Sequence, residues 1–125
     1  RNFETGFKCI SLVDNVASLT AIGNDLSYTE VFTKQLANLG EKGDILILIS
    51  ASGNSKNIVN VAKFSKKMGM ITIGWTGFKG SQLDDIVDLC INVDGENGDY
   101  GPVEDVHLII NHIIANYFIE KHKGT

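Results

Sequence analysis

The sequence predicts an α/β fold, three-layer αβα, with a mainly parallel sheet between helices. Three observations predict it. The run Ile45-Leu46-Ile47-Leu48-Ile49 is apolar, uncharged and rich in β-branched residues, as suits a strand buried on both faces. Segments of that kind alternate along the chain with segments of helical periodicity, the pattern of βαβ units. The run also passes directly into small polar residues, S-A-S-G-N-S at 50–55, and then into a helical pattern. Ligands of parallel sheets bind past the carboxyl ends of the strands, which is where this turn falls.

Taken in order, residues 1–7 are polar and expected to be loose, and residues 8–13 (KCISLV) read as a first strand. Asp14 and Asn15 close it, residues 16–22 form a short helical or irregular segment, and Gly23-Asn24-Asp25 is a turn signal. Residues 28–39 place Val31, Phe32, Leu36 and Leu39 on one helical face, with Gly40 as the stop. The central strand and its polar turn follow, then a helix over 55–68 ending at Gly69. A strand over 70–75 comes next, then one or two helical turns over 80–86, a strand over 87–93 and a long polar loop over 94–101. Pro102 suits the first turn of a helix, which runs over 103–121. Val106, Ile109, Ile110, Ile113, Ile114, Tyr117 and Phe118 give that helix a wide apolar face, expected to be buried, as at a subunit interface.

The totals bound the function. A chain of 125 residues, 43% hydrophobic and 21% charged, is a single globular domain over 1–125. A net charge of −4 without a basic run argues against nucleic acid as a partner. No apolar stretch approaches the roughly 20 residues that cross a bilayer, and there is no signal-peptide pattern, so no membrane partner is expected. Cys9 and Cys90 each lie in an apolar segment without CxxC or Cys/His spacing, and read as reduced core residues of a cytosolic protein.

The 50–55 turn carries the most chemistry. A strand–turn–helix junction aims backbone N–H groups and hydroxyls at a helix N-terminus, where partial positive charge favours phosphate. Ser50, Ser52 and Ser55 add rotatable donors, and Gly53 lets the backbone come close to a ligand. The competing reading is that these residues only cap a helix. Neither GxxxxGK[ST] nor GxGxxG is present, so no nucleotide is expected.

Two further groups stand out. Glu104, His107, Asn111 and His112 are polar residues in the first turns of the apolar last helix. Glu104 and His112 are about 80° apart around its axis, while His107 and Asn111 share a face. A histidine and a carboxylate there can transfer a proton or hold a divalent metal, or they can be surface and structural residues, with Glu104 and Asp105 complementing the helix dipole. His122 reads as solvated. Asn24 and Asp25 offer donors and acceptors suited to sugar hydroxyls, or form a plain turn.

LILISASGNSKNIVNVAKFSKKMGMITIGWTG resembles the core of a sugar isomerase (SIS) domain, and ISASGNS resembles its phosphate-binding serine loop. Within that family the phosphoheptose (sedoheptulose 7-phosphate) isomerases are the closer match. The GND segment and its following helix resemble their sugar-contacting turn, and VEDVHLIINHII resembles their final catalytic helix. The resemblance covers residues 1 to about 120 and implies a flavodoxin-like, nucleotide-binding-type topology. It implies an aldose–ketose isomerase of the bacterial cytoplasm, a homotetramer, often with zinc, serving carbohydrate metabolism in lipopolysaccharide or capsule biosynthesis. By the same resemblance, Ser50, Ala51, Ser52 and Ser55 hold the phosphate and Asn24 and Asp25 contact the sugar. His112 matches a catalytic and metal-binding histidine, and Glu104 stands where the family usually has a glutamine that contacts metal and substrate. His107 matches a histidine without an assigned role.

The chain departs from the pattern in two ways. Glutamate at 104 adds a negative charge that can strengthen metal binding, raise the pKa of a neighbouring histidine or alter the substrate. The family's N-terminal helices, first strand, GNGGS turn and catalytic glutamate have no counterpart, so the chain is expected to be an N-terminally truncated, partial SIS domain. A second expectation therefore stands beside the isomerase. It is a non-catalytic phosphosugar-binding module, acting as a regulator or tetrameric adaptor.

Overall fold

The computed structural model describes residues 8–123. The lead-in, residues 1–7, and the side chain of His122 lie outside the described residues. Helix α1 (Val16–Asp25) is followed by a 3-10 turn (Tyr28–Glu30) that runs into α2 (Val31–Leu39). Strand β1 (Ile45–Ile49), helix α3 (Lys56–Lys67) and strand β2 (Ile71–Thr76) form a βαβ unit, followed by β3 (Leu89–Asn92) and α4 (Tyr100–Lys123). The strands make one parallel sheet in the order β1-β2-β3, with Ile47 opposite Ile73 and Ile73 opposite Leu89.

Each element ends where local chemistry ends it. Asn15 accepts a hydrogen bond from Ser18 N–H and so starts α1. Gly40 stops α2 and donates its N–H to the Leu36 carbonyl at 2.8 Å. Lys66 and Lys67 lie in the last turn of α3, where they complement its negative end. The core lies between α2, α3 and one face of the sheet, and is built from Leu36, Leu48, Val61, Ala62, Met70 and Leu83.

Strand alternation gives the sheet two unlike faces. Leu48 faces the core and is 3% exposed, while Ile45, Ile47 and Ile49 are 60%, 48% and 53% exposed. The expectation that β1 is buried on both faces is therefore corrected, because α1, α2 and α3 all lie on the core side. Helix α4 meets the second face near the end of β2. There His107 packs on Trp75, with ring centroids 6.2 Å apart, and both are buried. Val103 is fully buried beside Gly77 and Gly95, where a Cβ would stand 2.2 and 2.6 Å from its methyl carbons. Within the single chain the wide apolar stripe of α4 is left uncovered, so any burial of it falls to a partner surface such as the expected subunit interface. Leu108, Ile109, Ile113, Ile114 and Tyr117 are exposed, because only the first turns of α4 touch the body of the protein.

Other expectations are also corrected. Residues 8–13 are not a strand. The Leu12 carbonyl accepts from the Gln35 side chain, which ties the segment to α2 instead of to a sheet edge. Cys9 is accordingly exposed and outside any core, whereas Cys90 is half-buried on β3, and both are free thiols. Leu39 is exposed on α2. Residues 80–86 form turns instead of helix, with Ile86 and Val87 both donating to the Leu83 carbonyl. Gly23, Asn24 and Asp25 are the last residues of α1 and not a free turn, because the helix continues until Leu26 N–H reaches the Ile22 carbonyl.

Candidate functional site

The 50–55 loop leaves β1 and crosses the carboxyl end of β2. Ser50 N–H donates to the Trp75 carbonyl at 3.0 Å, and Gly77 N–H donates to the Ala51 carbonyl at 2.8 Å. Gly53 N–H bonds both the carbonyl and the hydroxyl oxygen of Ser50, and Asn54 N–H bonds the Ser52 hydroxyl oxygen. Ser50 and Ser52 thus use their lone pairs to shape the loop while their O–H groups remain to donate.

Ser55 is the decisive residue. It sits at the N-cap position of α3, yet its side chain makes no capping hydrogen bond. A serine there normally accepts from the backbone two or three residues on. Among the described residues the N–H groups of Lys56 and Asn57 at the start of α3 have no partner either. The junction therefore presents an unused hydroxyl and two unused N–H donors at the positive end of a helix. That set of donors matches an anion such as phosphate. At Ser55 the side-chain bond that the capping reading calls for is absent.

A second layer, which the sequence did not reveal, lies behind the loop. The Asn54 side chain donates to the carbonyls of Ser52 (3.0 Å) and Gly80 (3.2 Å) and accepts from Gln82 N–H (3.0 Å). Leu83 N–H donates to the Gly53 carbonyl. At the base of this layer the Asp84 carboxylate accepts from Thr76 Oγ1 (2.8 Å), Cys90 Sγ (3.1 Å) and Asn92 Nδ2 (3.4 Å). Partial burial pushes Asp84 upward, but hydrogen bonds from Cys90, Thr76, Ser81 and Asn92 together outweigh it and hold the carboxyl below its ordinary value. Burial, with the Asp84 carboxylate alongside, pushes the Cys90 thiol up against the opposing bond from Thr76. The signal available in the sequence was the density of polar residues just beyond β2, Ser81 and Asp84 among them.

The remaining candidates are spread out. Asn24 and Asp25 are exposed at the end of α1 and bond each other, Nδ2 to Oδ1 at 2.9 Å. Glu104 and His112 are exposed on α4, two turns and about 12 Å apart along its axis. His107 is the buried histidine of that helix, with Nε2 3.3 Å from the Thr76 carbonyl. A carbonyl can only accept, so Nε2 carries the hydrogen. Through Thr76 and Trp75, His107 ties α4 to the strand end that also holds Ser50. Among the described residues no hydrogen bond or ion pair joins Asn24, Asp25, Glu104 or His112 to the serine loop.

A zinc site needs three or four ligands. Among the described residues no three His, Cys, Asp or Glu side chains are close enough together to hold a metal ion. Glu104 and His112 alone do not make such a site. No helix among the described residues is long and apolar enough to cross a membrane.

Residues 8–77 match the family model described as the SIS domain. A probable phosphoheptose isomerase of Thermoplasma acidophilum is 39% identical over 112 residues, covering 90% of this chain and 60% of that protein. The phosphoheptose isomerase of Maridesulfovibrio salexigens is 40% identical over 107 residues, covering 86% of this chain and 51% of that protein. The solved structure of a phosphoheptose isomerase from Neisseria gonorrhoeae superposes with a TM-score of 0.83 at 31% identity, covering 89% of this chain and 61% of that one. The chain thus spans between about half and three-fifths of the length of these relatives.

Proposed function

Because this chain belongs to the SIS domain family, we propose that it supplies the phosphate-binding part of an aldose–ketose isomerase acting on a sugar phosphate such as sedoheptulose 7-phosphate. The observation that carries the reading is the unused Ser55 hydroxyl beside the free N–H groups of α3. The names of the relatives, phosphoheptose isomerases from several organisms, support the same substrate class.

In this reading the phosphate docks on Ser50, Ala51, Ser52 and Ser55, by hydroxyls and by the backbone. Asn24 and Asp25 bind sugar hydroxyls. The ring opens, and a proton leaves one of two adjacent carbons and returns to the other through an enediol. His112 acts as an acid or base in that transfer, and Glu104, two turns away on the same helix, is the second candidate group. Binding the phosphate far from the reacting carbons fixes their geometry, which is the use of remote binding energy in catalysis. A zinc ion at this helix would need ligands beyond Glu104 and His112, and would supply Lewis-acid polarisation of the substrate oxygens. The enzyme works in the cytoplasm as a homotetramer, and its product feeds surface glycans of the lipopolysaccharide or capsule type.

The test is turnover of sedoheptulose 7-phosphate by the full-length gene product. Conversion to the aldose, with His112→Gln lowering kcat by about 10²–10⁴-fold, supports the isomerase. Binding of the sugar phosphate without turnover sinks the isomerase and leaves a phosphosugar-binding regulator or adaptor.

A further inference from the structure

The loop over residues 79–84 is the feature that neither the sequence motifs nor the proposed reaction accounts for. It reaches the serine loop at three points. Asn54 spends both amide donors and its carbonyl on Ser52, Gly80 and Gln82. The Gly53 carbonyl accepts from Leu83. Ser81 stands directly behind Gly53, whose φ of +62° is in the region that favours glycine. The far end of the 79–84 loop is fixed to the sheet by Asp84, which receives hydrogen bonds from Thr76, Cys90 and Asn92. The side chain of Asn54, with the Leu83–Gly53 hydrogen bond, thus links the loop anchored to the strands to the serine loop, and among the described residues it is the one side chain that bonds both.

We infer that Asn54 is a positioning residue for the phosphate site, holding Ser52 and the Ser55–Asn57 donors where an anion meets them together. Asn54 itself needs no contact with the ligand. Its amide is committed to the protein, and its effect passes through the Ser52 carbonyl and the backbone of 53–55. This rests on the reading of the serine loop as a phosphate site. The chemical class it serves is the phosphate group, whatever sugar carries it.

The experiment uses the full-length gene product, with inorganic phosphate as competitor and the sugar phosphate as substrate. Asn54→Asp keeps the shape, removes both donors and turns a carboxylate toward two carbonyls. Asn54→Ala and Ser81→Ala are companion variants that introduce no charge. The expected result for both Asn54 variants is a rise of about tenfold or more in KM and in the phosphate inhibition constant, as losing one or two hydrogen bonds implies. In the same variants kcat falls less than about threefold, the split expected when binding geometry alone is disturbed. Ser81→Ala is expected to raise both constants by a smaller factor. Unchanged KM and inhibition constant in both Asn54 variants overturns the inference. So does a parallel loss of kcat and thermal stability, which marks Asn54 as merely structural. Failure of the underlying reading looks different. In that case phosphate does not compete even in the wild-type protein, and Ser55→Ala changes nothing.

Discussion

The hydroxyl oxygen of Ser81 lies 1.8 Å from the point where a Cβ on Gly53 would stand, and the Ser81 Cβ lies 2.5 Å from it. The serine loop and the 79–84 loop are packed so closely that only glycine fits at 53. The Gly53→Ala variant is expected to lose about 2–3 kcal/mol of stability, from the positive φ and the clash together. Chemical denaturation of Gly53→Ala, Ser81→Gly and the double variant checks this. Removing the Ser81 side chain should recover part of the loss, leaving the cost of the φ angle. Strict additivity would show that the two loops do not press on each other.

Ser55 separates capping from binding. A serine that caps a helix costs about 1 kcal/mol when replaced by alanine. Since the Ser55 side chain makes no such bond, Ser55→Ala should change stability by less than about 0.5 kcal/mol while weakening phosphate binding. Paired denaturation and phosphate-competition measurements decide it. A large loss of stability with unchanged binding would restore the capping reading.

Asp88 gives the protein a defined response to acid. Its carboxylate accepts from Lys66 Nζ (2.9 Å) and from both the N–H and the hydroxyl of Thr72 (2.8 Å each). The Lys66 bond first, then the two from Thr72, hold its pKa down at about 2. The folded value lies below the unfolded value of roughly 4, so the contribution is complete above pH ~4 and is lost as pH falls toward 2. In Asp88→Asn the slope of stability against pH between about 4 and 2 should flatten. An unchanged slope in acid titrations followed by circular dichroism would contradict the assignment.

His107 is expected to matter as a filler more than as a hydrogen-bond donor. Its acceptor, the Thr76 carbonyl, also receives Val93 N–H at 3.0 Å, so losing the imidazole does not leave that carbonyl bare. His107→Phe should cost about 1 kcal/mol, whereas His107→Ala, which opens a cavity against Trp75, should cost about 2–4 kcal/mol. Thermal and urea denaturation of the two variants measure the difference. Equal losses would mean that the hydrogen bond dominates.

Glu104 and His112 should not retain zinc by themselves. After equilibration with zinc and gel filtration, residues 1–125 as a separate polypeptide are expected to carry far less than one metal per chain by elemental analysis. One zinc per chain, lost in His112→Gln, would show that further ligands complete the site.

How far the sequence spoke depended on the range of the interaction. The order β1, polar turn, α3, β2 was legible because each piece is written locally. The run at 45–49 has no charge, the helix has its periodicity, and Gly40 and Gly69 mark the stops. The serine loop was legible for the same reason, since its serines lie within six residues at a strand end. Residues 8–13 read as a strand by composition, yet the Gln35 side chain, 23 positions from Leu12, claimed the carbonyl that a ladder would have used. The apolar residues of β1 and α4 read as buried, but local pattern records apolarity and not what lies opposite. The bracing of the serine loop was invisible, because Asn54 meets Gly80 and Gln82 only after the chain has made a full parallel crossover. Sequence alone determined the order of the central elements and where the candidate anion site begins. The tertiary structure decided which faces are covered and what holds the site in shape, because burial and long-range hydrogen bonds depend on where the fold brings distant residues together.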